Sequence, residues 1–311
     1  NDKESLFHYS FPNQPSEPLI ESIKNYGIFS PILLKKSEND NYQIISGFKR
    51  LSAAKILSHD YIDAYILDNN DTFEKNAELS LNDNLAHRAL NIFEVSNFLE
   101  LLKNQQIGTW HIVEQWMPKL GYKGHETLLK RFLRLQKIPR DLWNILLQKN
   151  YAMKPIYWLS GLSAEEQNQL VKLLIELSFN QNIFLEVAEN LKAVSLIAKK
   201  NISEVIQELY NRIRSKNDEE SQDMIYISSQ FREEIKKLRF MKLYEYRKQI
   251  DAEIESLKFP PSIKIVYDPL LEKHELSLTI TIKSSNDASL NQHITLSDQV
   301  KDGIERILQI T

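Results

Sequence analysis

The chain has 311 residues, enough for two or three modules, with 42% hydrophobic and 26% charged residues, the proportions of a globular protein rather than a disordered one. It has no cysteine, which excludes disulfides and thiolate metal sites and is compatible with a reducing cytosol; no apolar run approaches the length of a membrane span. The formal net charge of −3 excludes a whole-chain basic field, so any DNA binding rests on local basic faces. Asn1 to Ser5 has no basic-then-apolar signal pattern, and a start at Asn1 rather than Met leaves room for residues ahead of it.

The first module is expected over residues 1–91. Leu19 to Tyr26 places Leu19, Ile20 and Ile23 at helical spacing and ends at Gly27, a C-cap residue. Ile32-Leu33-Leu34 reads as a short buried strand and Tyr42 to Ser46 as its returning partner, with turn chemistry at Asn39-Asp40-Asn41. Arg50 to Leu57 reads as a helix, Tyr61 to Leu67 as a further strand, and Glu74 to Leu85 as a helix carrying Asp83 and Asn84 at its end. The junction Ser46-Gly47-Phe48-Lys49-Arg50 is a strand, a glycine turn and a helix start with two cations. Glycine lets backbone N–H groups approach an anion, and a helix start supplies unpaired donors. Asp83 and Asn84 supply oxygen atoms of the kind a magnesium ion takes, or simple helix-end chemistry.

The second module, residues 92–197, reads as helical throughout. Val95, Phe98, Leu99 and Leu102 form one apolar stripe. His111 to Gly121, followed by His125 to Leu135, gives helix, glycine-containing turn and helix, the helix-turn-helix pattern. In the second of these helices Leu128, Leu129, Phe132 and Leu135 are expected to pack inward. Lys123, His125, Thr127, Lys130, Arg131 and Arg134 are left for solvent or DNA, the cations for phosphates and His125 and Thr127 for base edges. Trp143, Tyr157 and Trp158 are expected in the core or at an interface.

In the third module, residues 198–311, Ser215 to Glu220 reads as a polar linker. Met224 to Leu257 reads as a long charged helix whose apolar spacing loses register near Leu243 to Tyr246, so a clean leucine zipper is not expected. Pro260-Pro261 ends it. Ser262 to Tyr267 and Glu275 to Lys283 alternate as a hairpin, and Ser297 caps a last amphipathic helix to Leu308. The region reads as a small α/β dimerisation or docking module.

Three boxes in order carry a family resemblance. They are the segment Leu19 to Ile32 with its Ser22-Ile23, Gly27 and Pro31-Ile32; Gly47-Phe48-Lys49-Arg50-Leu51-Ser52-Ala53-Ala54; and Asp83-Asn84-Leu85-Ala86-His87-Arg88-Ala89-Leu90-Asn91 with Glu94. Together these resemble the ParB family of partition proteins, and the likeness continues more weakly to about residue 195. The resemblance implies an α+β, mostly helical fold: a small ParB/sulfiredoxin-like α/β domain, a helix-turn-helix domain, and a C-terminal long helix with hairpin and helix. It implies CTP and Mg2+ at Gly27, Ser30, Ser46, Gly47, Lys49, Arg50, Asn84 and Arg88, with Asn84 linked to the metal and Asp83 to slow CTP hydrolysis. It implies a nucleotide-closed clamp on DNA, a homodimer, a partner ATPase, and a cytoplasmic protein associated with nucleoid or plasmid.

The boxes also depart from the family pattern. Phe48 replaces a glutamate, Lys49 an arginine, and Asp83 shortens a glutamate by one methylene, so nucleotide binding is a firmer expectation than hydrolysis. A small-molecule kinase on the same N-terminal fold is the alternative, although Phe48 removes a carboxylate it would use; sulfiredoxin chemistry fails for want of a cysteine. A nuclease lacks a carboxylate cluster for two metals. A DNA-binding adaptor that has lost its nucleotide remains open.

Overall fold

The structure is a computed structural model that describes residues 6–36, 41–68, 70–216, 224–259, 261, 263–273, 275–281 and 298–310. The expected turn residues Asn39 and Asp40, most of the linker after Lys216, Pro260, Ser262 and the cap Ser297 lie outside the described residues. The chain divides into two compact units, 1–185 and 186–311.

The first unit begins with α1 (Glu17–Tyr26), ended by Gly27 at φ +79°, whose N–H donates to the Ile23 carbonyl. Strands β1 (Ile32–Lys36) and β2 (Tyr42–Ser46) form the expected antiparallel hairpin, with a register shift between Leu33 and Leu34. Helix α2 (Phe48–Ile56) follows, and β3 (Ala64–Leu67) then pairs parallel to β1, giving the order β2-β1-β3. Ile32, Ile44 and Ile45 bury the inner face. Helix α3 (Phe73–Leu85) packs on β2 and is capped by Thr72, whose side chain accepts from the Lys75 N–H.

Helix α4 (Ile92–Asn104) starts with a capping box, in which Asn91 and Glu94 satisfy each other's free N–H groups. Its apolar stripe is core: Phe93 stacks on Trp143 at 4.4 Å, and Phe98 meets Tyr9 and Trp116 edge-on. Tyr9 and Phe11 thus insert the N-terminal segment between the two expected modules, which is why 1–185 is one compact unit. The next helical stretch is α5 (Thr109–His111), a π-helical turn (Ile112–Trp116) and α6 (Met117–Lys119). Pro118 has no N–H to give to the fourth carbonyl behind it, and the backbone widens there.

Gly121, at φ +83°, turns the chain toward α7 (Glu126–Arg134) and a 3-10 turn (Leu135–Lys137). Then come α8 (Arg140–Gln148), α9 (Met153–Leu159), α10 (Ala164–Glu176) and α11 (Gln181–Ala198), within which the two units divide.

The second unit continues through α12 (Ile202–Lys216). The long helix expected over Met224–Leu257 consists of α13 (Met224–Arg239) and α14 (Met241–Ser256), which meet at Phe240, at φ −115° and ψ +40°. The two halves serve different partners. Phe231 and Ile235 are buried on α13, which packs on α12, whereas Ile250 is buried on α14, which packs on the last helix. Strands β4 (Ile263–Tyr267) and β5 (Leu276–Ile280) form an antiparallel hairpin, and α15 (Asp298–Ile310) closes the unit with Gly303 against Leu257. Among the described residues no helix is long and apolar enough to cross a membrane.

Candidate functional site

The end of β2 delivers the chain into α2 through Gly47 at φ +100°. A Cβ added there would stand 2.5 Å from Ile32 Cγ2 and 3.1 Å from its Cα, so both conformation and space restrict the position to glycine. One helical turn later, Arg50 is 2.6 Å from Asp83 at the end of α3, with side-chain exposures of 15% and 25%. Its Nη1 donates to the carbonyls of Ser30 at 2.8 Å and Pro31 at 3.1 Å. Ser46 Oγ donates to the same Asp83 oxygen at 2.5 Å. The fold therefore brings Ser30, Ser46, Gly47, Arg50 and Asp83 into one cluster, from segments up to 53 residues apart.

A second cluster lies beside it. Arg88 forks onto the fully buried Glu94 through two 2.6 Å hydrogen bonds, and Glu94 also accepts from the N–H groups of Asn91 and Phe11. Lys49 is half-buried near this pair. Burial, and then the Arg88 charge, hold its ammonium below the usual lysine range. No ion pair of Lys49 is seen among the described residues, so its partly desolvated charge has no carboxylate bonded to it.

Asn84 turns the other way. Its Nδ2 donates to Tyr9 Oη at 2.9 Å and to the Ser80 carbonyl at 2.8 Å, leaving Oδ1 as its oxygen for a cation. Tyr9 donates to the Ser80 carbonyl at 3.1 Å, and burial pushes its hydroxyl well above the usual tyrosine range. Among the described residues no group of three or more His, Asp or Glu side chains could hold a metal. Asn84 Oδ1 fits magnesium only as one ligand among phosphate and water oxygens, the usual arrangement for that ion.

The box departures have structural counterparts. Phe48 is buried and stacks on the His8 ring at 4.5 Å, so the position of the family glutamate belongs here to the core. His87 is exposed, with Nε2 3.9 Å from Asp83 Oδ1. Gly27 lies on the wall of a surface cavity of about 460 Å³ lined also by Ile28, His59 and Tyr61; Gly47, Arg50, Asp83 and Asn84 do not line it.

On α7 and the 3-10 turn after it, Leu129, Phe132 and Leu135 are buried as the spacing predicts, and Leu128 is partly so. Lys123, His125, Thr127, Lys130 and Arg131 are exposed. Arg134, expected in solvent, is half-buried, because its guanidinium lies 5.0 Å from the Tyr157 ring centre and donates to Tyr157 Oη at 3.2 Å. Sequence reasoning passed over Tyr9 and the pairing role of Tyr157, which carry no local signal. Glu94 did have one, as the acidic third residue of a capping box after Asn91.

Residues 9–85 match the ParB N-terminal domain family. The nucleoid occlusion protein of Bacillus cereus is 31% identical over 173 residues, covering 55% of this chain and 57% of that protein. The chain thus spans little more than half the length of that relative. The nucleoid occlusion protein of Bacillus cytotoxicus is 28% identical over 211 residues, 66% of this chain and 70% of that one. Among solved structures, the C-terminally truncated chromosome-partitioning protein ParB from Caulobacter crescentus is similar in two complexes. With the centromeric parS site it shows 19% identity and a TM-score of 0.34 over 57% of this chain and 92% of that one. With CTP-gamma-S it shows 20% identity and a TM-score of 0.21 over 51% and 85%.

Proposed function

From a chain whose residues 9–85 match the ParB N-terminal domain family, we propose a DNA-binding protein of the partition or nucleoid occlusion kind, switched by CTP with magnesium. The observation that carries the reading is the cluster at the mouth of α2, where a glycine-only turn, a serine hydroxyl and an arginine converge with the carboxylate of Asp83. The relatives named nucleoid occlusion proteins support the biological setting.

In this reading the N–H groups at the start of α2 and the Arg50 fork bind phosphates, and Lys49 adds charge from a half-desolvated position. Arg50 must first leave Asp83. That exchange is the switch: while the pair is closed, Arg50 ties the Ser30-Pro31 segment and α2 to the end of α3. When bound, CTP supplies the negative charge that competes with Asp83, and Mg2+ shields it. Asn84 offers its remaining oxygen to the ion while Tyr9 and Ser80 fix its amide. Asp83, once released, is the carboxylate available to orient a water for slow hydrolysis. The turn before α7 and the outer face of that helix present the DNA-binding surface through Lys123, His125, Thr127 and Lys130, with Arg131 held over the Tyr157 ring, and the 186–311 unit serves as the dimerisation module. A partner ATPase belongs to the same reading.

A specific observation favours a second reading, a DNA-binding adaptor that takes no nucleotide. Every named contact of Arg50 is already made within the protein, and Phe48 is buried where the family carries a carboxylate. Calorimetric titration of CTP, ATP, GTP and UTP with magnesium decides between them. CTP-selective binding that Arg50→Ala abolishes supports the switch; no binding of any nucleotide supports the adaptor.

A further inference from the structure

The exposed surface of α7 carries a carboxylate that a basic-face reading leaves unused. Glu126 opens the helix, and its Oε1 lies 2.6 Å from Lys130 Nζ one turn later, with both side chains more than half exposed. The Lys130 ammonium holds the Glu126 carboxyl below its usual range, so the pair stays ionised at neutral pH. Farther along, Arg131 and Arg134 both turn toward α9, with their guanidinium carbons 5.6 Å and 5.0 Å from the Tyr157 ring centre. Two of the three cations on α7 are thereby held against the protein and the third is paired with Glu126. The side chains with which α7 can enter a groove are those of its first turn together with Lys130, and the N-terminal residues of a recognition helix are the ones that meet base edges.

Resting on the helix-turn-helix reading, we infer that Glu126 and Lys130 act together as a base-reading pair that selects a C·G base pair in the major groove. The match is chemical. A C·G pair presents the cytosine N4 amine as a donor and guanine O6 and N7 as acceptors on the same edge. Glu126 accepts from the amine, and Lys130 keeps free protons for the guanine acceptors. An A·T pair also offers an amine, but its thymine methyl puts an apolar group against the ammonium. A lone carboxylate between phosphate rows would be repelled; Lys130 cancels that charge where it enters.

The test is selection of bound duplexes from a random pool by the full chain, followed by anisotropy titration of the winner and its single-base variants. The variants are Glu126→Ala, Glu126→Gln and Lys130→Ala, each checked for unchanged helical content. The pair reading predicts a cytosine at one position per half-site and roughly tenfold weaker binding when it is replaced. Glu126→Ala should erase that preference while tightening binding to unrelated DNA, and Glu126→Gln should move it toward adenine, the base glutamine reads. If Glu126→Ala tightens every sequence equally and leaves the preferred base intact, Glu126 is only a solvated partner of Lys130 and the inference is overturned. If the wild-type chain retains no duplex at any salt concentration, the DNA reading itself falls, and this inference with it.

Discussion

Arg50, one turn into α2, and Asp83, at the end of α3, stand 2.6 Å apart. With Ser30, Pro31 and Ser46 they form one hydrogen-bonded cluster. Any triphosphate at this site competes with a carboxylate already in place.

Asp83→Ala therefore separates two roles. Removing the carboxylate frees Arg50, so CTP should bind more tightly than to wild type, by about tenfold for each ~1.4 kcal/mol of competition relieved. Hydrolysis should be lost at the same time. Calorimetry and a phosphate-release assay read the two effects independently. Weaker CTP binding in this variant would mean that Asp83 organises the site rather than competing for it.

The two positive-φ glycines of the site region should respond differently to substitution. Gly47→Ala meets Ile32 at 2.5 Å as well as a left-handed backbone, whereas Gly27, at φ +79°, has nothing within 4 Å of the added methyl. Strain alone costs about 1–2 kcal/mol; the collision with a strand residue adds a further 1–3 kcal/mol or so. Urea denaturation should show Gly47→Ala clearly less stable than Gly27→Ala. Equal losses would place the crowding at Gly47 in doubt.

Much of this was legible because it is local. The run Ile44-Ile45-Ser46-Gly47 announces a strand ended by a turn, and Asn91 followed by Glu94 announces a capped helix. What was not legible depends on partners distant in sequence. Tyr9 meets Ser80, Asn84 and Phe98, over 70 residues away. Arg134 lies in a run that reads as solvated, and only Tyr157, 23 residues on, explains its burial. The break at Phe240 has neither proline nor glycine to mark it, and the helices on its two sides pack on different neighbours.

Lys49 gives a pH-dependent prediction. A lysine whose folded-state affinity for a proton is lowered weakens the folded state while it stays charged. Between its folded value and the ordinary 10.5, the unfolded chain holds more protons, so stability rises with pH across that window. Lys49→Met should be more stable than wild type at neutral pH, with the advantage shrinking as pH climbs toward 10.5. Thermal melts between pH 7 and pH 10.5 provide the measurement. A constant difference across that range would show that charge has no part in it. The same variant should bind CTP less well.

Tyr157→Ala should release Arg131 and Arg134 from the ring that now holds them. Two more cations then become available to phosphates, so the slope of log affinity against log salt should steepen by up to about 1.8. Stability should fall by a few kcal/mol, roughly the loss for truncating a large aromatic at a partly buried position. Tyr157→Phe keeps the ring and should leave the salt slope unchanged. If both variants bind DNA with the wild-type slope, these arginines do not face the nucleic acid in either state.

The most direct measurement is a calorimetric titration of CTP with magnesium into the wild-type chain and Arg50→Ala, with ATP as the competing nucleotide. The account predicts saturable, CTP-selective binding to wild type and its loss in the variant. Equal CTP binding by both proteins would contradict the assignment of Arg50 to the phosphates, and no binding by either would make the Arg50–Asp83 pair a fixed structural bridge.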